Sequence, residues 1–269
     1  MRAAELSLAF DDRGTGEPAL LCLPTWCENR SAFDRLVELE SGHRRALSVD
    51  WRGHGEAAAA DGDFTSEDLV ADLIRLLDER GIGEVVPVTN SHAGWIAVTL
   101  RRRLGERVAR AVFLDWIMSP PPAAFLATLN GLRDPERWRK TRASMFASWM
   151  GRGSFPEVMR HIGEEMGAYG QEMWARAARE ISLAYGQWGS PQHALACIHP
   201  SLPVLHLYSQ PKDDAYLWAQ QAFAEGHPWF RVQRLHGQTH FPSIEIPEET
   251  AEAIEAFIGE PFPPALLSE

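Results

Sequence analysis

The sequence predicts an α/β fold: a mostly parallel central sheet flanked by helices, interrupted by a helical insertion. Three observations carry this reading. Apolar runs of strand length alternate with segments of helical periodicity. Around residues 84–115 the order is strand, turn, helix, strand. Residues 117–190 then change character, becoming rich in Trp, Met and Arg with helical spacing. With 269 residues, 45% of them hydrophobic and 23% charged, the chain has enough apolar mass for one large compact domain.

In chain order, Ala19 to Pro24 reads as a short buried strand ended by proline, and Arg45 to Asp50 as a second. A helix starts at Ser66, with Glu67 and Asp68 in its first turn, an apolar stripe from Leu69 to Leu77 and a stop at Gly81. Glu84 to Thr89 is the next strand, although Pro87 has no N–H to give to a ladder. Ile96 to Leu104 continues as a helix, and Val108 to Asp115 is a strand that ends on a carboxylate. After the insertion the pattern resumes with a strand at 202–208, a helix at 214–225, a strand at 230–235 and a final helix at 248–258. The expected division is therefore a core of residues 1–116 and 191–269 with a helical cap at 117–190.

Charge excludes some functions. Lys and Arg number 26 against 37 Asp and Glu, a net −11, and no basic run is long enough to follow a phosphate backbone. Nucleic acid is not an expected partner. Neither is a membrane, since no apolar run approaches the roughly 20 residues of a spanning helix, and the start of the chain has no apolar signal segment. The expected setting is cytoplasmic. Cys22, Cys27 and Cys197 lack metal-ligand spacing and read as buried free thiols, and the ten histidines include no HExxH-type pair, so no metal is expected.

Chemistry concentrates in four places. Thr89-Asn-Ser-His-Ala-Gly-Trp95 sets Ser91 between a strand and a helix with small residues beyond it, the pattern of a nucleophile elbow on an α/β-hydrolase fold. Thr89 and Ala93 stand where that pattern usually has glycines. Pro24-Thr-Trp-Cys27 follows an early strand and is placed to offer the Trp26 amide to an oxyanion beside the His92 amide. His240, late in the chain within Gly237-Gln-Thr-His-Phe-Pro242, completes a serine, acid, histidine order. Spacing leaves the acid open between Asp115 and the pair Asp213 and Asp214. Asp50-Trp-Arg-Gly-His-Gly55 reads as a structural loop.

Several distinctive segments, among them LPTWCENR, VTNSHAGW, FLDWIM, LRDPERWR, AYGQWGSP and GQTHFPSIEIP, resemble the cofactor-independent 3-hydroxy-4(1H)-quinolone 2,4-dioxygenases. The resemblance runs from about Leu20 to Phe257. It implies an α/β-hydrolase fold used for ring cleavage by O2, with release of carbon monoxide and no metal or flavin. The partners would be a small aromatic heterocycle and O2. It also implies His240 as base, Asp115 as its partner, and Ser91 as a hydrogen-bonding residue, with the Trp26 and His92 amides stabilising charge. Trp149 and Trp174, then Phe125, Met145 and Ile181, are expected to line the pocket, whereas Trp138, Trp188, Trp218 and Trp229 are expected in the core. Glu28 and Asn90 replace histidines of the best-known members and are expected near the ring, where they would affect which 2-alkyl substituent is taken. Two other readings remain open: a serine esterase using Ser91, His240 and Asp115, and a catalytically silent ligand-binding protein.

Overall fold

The computed structural model describes residues 8–60 and 62–262. Seven strands form one sheet: β1 (Ala9–Arg13), β2 (Ala19–Leu23), β3 (Ala46–Asp50), β4 (Val85–Asn90), β5 (Ala111–Leu114), β6 (Val204–Tyr208) and β7 (Phe230–Arg234). Their spatial order is β1-β3-β2-β4-β5-β6-β7, parallel throughout except for β1, which runs antiparallel to β3 with Ala9 opposite Asp50. Strands β2 to β6 are buried along their whole length, as expected for a parallel sheet covered on both faces.

β1 has no counterpart in the sequence expectations. Its sequence, AFDDR, carries two acids and no apolar run, because it lies at the edge and pairs its charges sideways. Asp11 meets Arg30, and Asp12 meets Arg45 and Arg80.

Pro87 sits in β4, in the middle of the sheet, and the sheet adjusts to it. Val85 bridges Val108, but the regular ladder to β5 begins at Val88 opposite Val112, one residue out of step. The missing N–H thus falls at a bulge, where no partner is required.

Eleven α-helices occur among the described residues. They are α1 (Asp34–Glu40), α2 (Ser66–Glu79), α3 (Gly94–Leu104), α4 (Ala123–Arg133), α5 (Trp138–Trp149), α6 (Pro156–Arg160), α7 (Gln171–Trp188), α8 (Pro191–Ala196), α9 (Asp214–Gly226), α10 (Pro242–Glu245) and α11 (Pro247–Gly259). α2 starts where the sequence places it: Thr65 accepts from the Asp68 amide while the Asp68 carboxylate accepts from that of Thr65. α1 is one of the elements missed, being a short helix after a tight turn. One core cluster joins α2 and α3 to the insertion, and a second packs α1 and α11 against the other face.

Between β5 and α8 every element is helical, with a π turn at His161–Glu165 and a 3-10 turn at Met166–Ala168 joining α6 to α7. Two expectations for single residues are corrected. Trp218 projects from α9 and is 65% exposed instead of packing in the core. Cys197 is also exposed, while Cys22 and Cys27 are buried.

Candidate active site

Parallel strands bring their C-terminal ends to one sheet edge, and the chemistry-bearing residues leave from there. Among the described residues three non-glycine residues adopt positive φ, all at this edge: Cys27 (58°) after β2, Ser91 (49°) after β4 and Asp115 (46°) after β5. Such backbone costs on the order of 1–3 kcal/mol each, and it persists where surrounding contacts fix it. At Ser91 it is the strand-to-helix turn that lifts the hydroxyl above the sheet. Close packing fixes the start of α3, since a Cβ on Gly94 would stand 2.4 Å from the Trp116 ring.

A cavity of about 1470 Å³ opens above this edge, walled on its far side by the insertion. Ser91, His92, Asp115, His240 and Trp26 line it, together with Phe125, Met145, Trp149, Trp174 and Ile181. Glu28 and Asn90, expected against the ring, do not line it. Both are wholly buried, and Asn90 Nδ2 donates to the Glu28 carboxylate at 2.9 and 3.0 Å. The expectation rests on the histidines that the best-known members of the resembled family carry at these positions. However, Asn90 ends β4 and lies below the turn that raises Ser91.

His240 follows β7, and its amide donates to the Trp149 carbonyl at 2.9 Å. Its ring stacks on the Trp149 indole at 5.1 Å between centroids, with the planes 12° apart. Burial pushes its pKa down to about 4, so the imidazole is neutral at neutral pH and free to accept a proton.

The Asp115 carboxylate accepts from the Ser209 amide at 3.0 Å and the Gln210 amide at 2.8 Å. Burial raises its pKa to about 7 in spite of these donors, with nearby Lys212 opposing the rise. Asp115 and His240 line the same cavity, but no hydrogen bond or ion pair joins them among the described residues. The alternative acids are engaged elsewhere. Asp213 caps α9 by accepting from the Tyr216 amide at 2.9 Å, and Asp214 pairs with Arg234 at 2.8 Å.

Ser91 Oγ lies 3.0 Å from His92 Nδ1. On its other side His92 Nε2 lies 3.5 Å from the Tyr185 hydroxyl, which donates to the Ile117 carbonyl at 3.1 Å. His92 stays neutral, because burial and then the neighbouring His240 push its pKa to about 3. Phe125 stacks on its ring at 5.0 Å and 2°. The sequence reading used His92 only for its amide and missed this side chain and Tyr185.

The Trp26 turn is also set by its neighbours. The Thr25 amide donates to Glu28 at 2.7 Å and the Cys27 amide to His54 Nε2 at 3.1 Å, whereas the Trp26 amide has no acceptor among the described residues. His54 comes from the loop read as structural, whose Gly55 at φ 50° would place a Cβ 2.3 Å from the Asp50 carboxylate. No cluster of three or more His, Cys, Asp or Glu able to hold a metal occurs among the described residues.

The fold and this edge define a class: the profile of the alpha/beta hydrolase family matches residues 20–253, and the chain belongs to that family. Within it the chain belongs with the 3-hydroxy-4-quinolone 2,4-dioxygenases. It is 38% identical to the 2-heptyl-3-hydroxy-4(1H)-quinolone dioxygenase of Mycobacteroides abscessus, over 94% of this chain and 96% of that protein. It is 34% identical to the 1H-3-hydroxy-4-oxoquinoline 2,4-dioxygenase of Pseudomonas putida, over 90% and 91%. Among solved structures, an AqdC variant in complex with its substrate, described as recognising and cleaving the Pseudomonas quinolone signal, superposes with a TM-score of 0.89. It is 38% identical, with 94% of this chain and 96% of that one covered. An esterase from Thermogutta terrifontis, 23% identical with a TM-score of 0.74 over 97% and 94%, shares the fold alone.

Proposed function

We propose that the protein is a dioxygenase that opens the heterocycle of a 2-alkyl-3-hydroxy-4(1H)-quinolone with O2, giving an N-acylanthranilate and carbon monoxide without a metal or organic cofactor. The observation that carries this over an esterase is at Ser91, whose hydroxyl is hydrogen-bonded to His92 and, among the described residues, not to His240. An acyl nucleophile needs its proton taken by the base that later protonates the leaving group. Here the serine oxygen is left with lone pairs to accept from a bound ligand.

His240, neutral and stacked on Trp149, takes the proton of the 3-hydroxyl. Asp115 then stabilises the imidazolium once a ligand brings the two together, as catalytic hydrogen bonds often tighten only in the complex. Trp149 contributes as well, since its face attracts a cation by about 0.5–2 kcal/mol. The organic anion is electron-rich enough to reduce O2 itself, and the radical pair recombines as a peroxide on C2. Attack of the distal peroxide oxygen on C4 closes a bicyclic peroxide. Cleavage of its O–O bond, with loss of C3 as carbon monoxide, leaves one oxygen on the acyl carbon and the other in the carboxylate. The Trp26 and His92 amides would hold the negative oxygen.

Residues 117–190 act as the cap in this reading, with Trp149, Trp174, Phe125, Met145 and Ile181 against the ring and its alkyl chain. Flat rings gain about 0.5–1.5 kcal/mol on aromatic partners beyond area burial. Ligand sites commonly measure about 300–1,000 Å³, so this cavity has room for a bicycle and a medium alkyl chain. Exposed, unpaired Cys197 fits a reducing, cytoplasmic setting. The test is turnover of 2-alkyl-3-hydroxy-4(1H)-quinolones with and without O2 after exhaustive chelation. Turnover only with O2, unaffected by chelator, is expected; equal turnover under nitrogen would overturn the reading.

A further inference from the structure

The turn that presents the Trp26 amide is tied to more than the core. Glu28, 0% exposed, accepts from the Thr25 amide, from Asn90 Nδ2 and from His161 Nε2 at 3.2 Å. Three separate segments meet on one carboxylate: the turn after β2, the last residue before Ser91, and the π turn of the insertion. The next residue repeats the tie, as Asn29 Nδ2 donates to Glu165. Cys27 is reached indirectly: its amide donates to His54, whose ring lies 4.9 Å from that of Tyr169. Tyr169 in turn accepts from the Gly55 amide at 3.0 Å. His161, Glu165 and Tyr169 recur every four residues, so the segment between α6 and α7 makes one such contact per turn.

Burying a carboxylate is costly unless donors satisfy it, so these bonds hold the three segments in a fixed relation. The turn they hold includes Cys27 at φ 58°, a backbone that must be over-determined to persist. None of these side chains other than Trp26 and Thr25 lines the cavity. We propose that Glu28 is a positioning residue, which locks the direction of the Trp26 N–H and the height of the Ser91 turn to the docking of the insertion through His161. The kinetic part of this proposal rests on the dioxygenase reading.

Its test uses Glu28→Gln, which keeps the shape, His161→Phe, which keeps a ring against Phe241 but cannot donate, and the double variant. Glu165→Ala cuts the second tie while leaving the Asn29 cap on Ser31 in place, and serves if a Glu28 variant does not fold. Hydrogen exchange is followed at residues 24–30 and 161–169, and kcat and KM are measured on a 2-alkyl-3-hydroxy-4(1H)-quinolone. Each single change is expected to raise exchange in both segments together and to lower kcat by about tenfold to a hundredfold, the scale of a slightly misplaced catalytic group. KM should stay within about threefold, and the double variant should be no worse than the poorer single one. Exchange that rises only around the substituted residue, or a KM effect with kcat unchanged, would overturn the proposal. A wild-type protein that cleaves no quinolone would refute the dioxygenase reading instead. The exchange result would then decide the positioning role by itself.

Discussion

Replacing Ser91 by alanine separates the two chemistries this fold can support. The hydroxyl makes one neutral hydrogen bond within the protein, to His92 at 3.0 Å, and in the dioxygenase reading one more to the ligand. Each is worth about 0.5–1.5 kcal/mol net. Losing both therefore costs about 1–3 kcal/mol, or roughly 5- to 150-fold in kcat/KM. Removal of an acyl nucleophile costs on the order of a millionfold. The His240→Ala change removes the general base and should cost about 10²–10⁴-fold. Ser91→Gly is a useful companion, because glycine accepts φ 49° without strain; it should match the alanine variant in activity while melting higher. Oxygen-electrode kinetics on purified variants measure all three. A Ser91→Ala enzyme disabled by more than about 10⁴-fold, beside a mildly affected His240→Ala enzyme, would refute the reasoning.

Other outcomes follow from the buried titratable groups and the stacked ring. Asp115, raised to about 7 by burial, must be ionised to support an imidazolium, so kcat/KM should climb through about pH 7 and the limb should vanish in Asp115→Asn. A profile unchanged in that variant would remove Asp115 from the mechanism. His54, His92, His206 and His240 all have pKa values lowered by burial, to about 3 or 4, so unfolding takes up protons below about 6.5 and stability rises with pH across that window. Asp115 and Glu40 are raised by burial, and their contribution is lost as pH rises through the folded values, near 7 for Asp115. Melting temperature should therefore peak near pH 6–7; a steady rise to pH 8.5 in a thermal-shift series would contradict the acid assignment. Trp149→Ala removes the face on which His240 stacks at 5.1 Å, and should lower kcat by about threefold to thirtyfold on the cation–π scale. Single-turnover measurements with no change in rate would remove Trp149 from the stabilisation of the His240 imidazolium.

Much of the fold was legible because periodicity reports burial. β2 to β6 are buried on both faces and therefore read as apolar runs, and α2 announces itself through its capping residues. β1 was not legible, since an edge strand with paired charges has no apolar signature. Chain order and motif resemblance together brought Ser91, Asp115, His240 and Trp26 to one cavity, and the tryptophans and Phe125 with them. Glu28 and Asn90, expected near the ring from the histidines of the resembled family, pair with each other below the turn instead, because a motif position does not tell which side of a turn a side chain takes. Nor does any local pattern connect His161 to Glu28, which are 133 residues apart and meet only because the insertion folds back. His92 also meets a tyrosine 93 residues away, a contact that no motif encodes.

The fate of the two oxygen atoms tests ring cleavage by O2 most directly. Reaction of a 2-alkyl-3-hydroxy-4(1H)-quinolone under ¹⁸O₂, with carbon monoxide quantified by gas chromatography and the anthranilate by mass spectrometry, should give one carbon monoxide per O2 consumed. One label should appear in the acyl carbonyl and one in the carboxylate, with none in the gas. Label drawn from water, or product formed without carbon monoxide, would contradict the account and return Ser91 to the role of a hydrolase nucleophile.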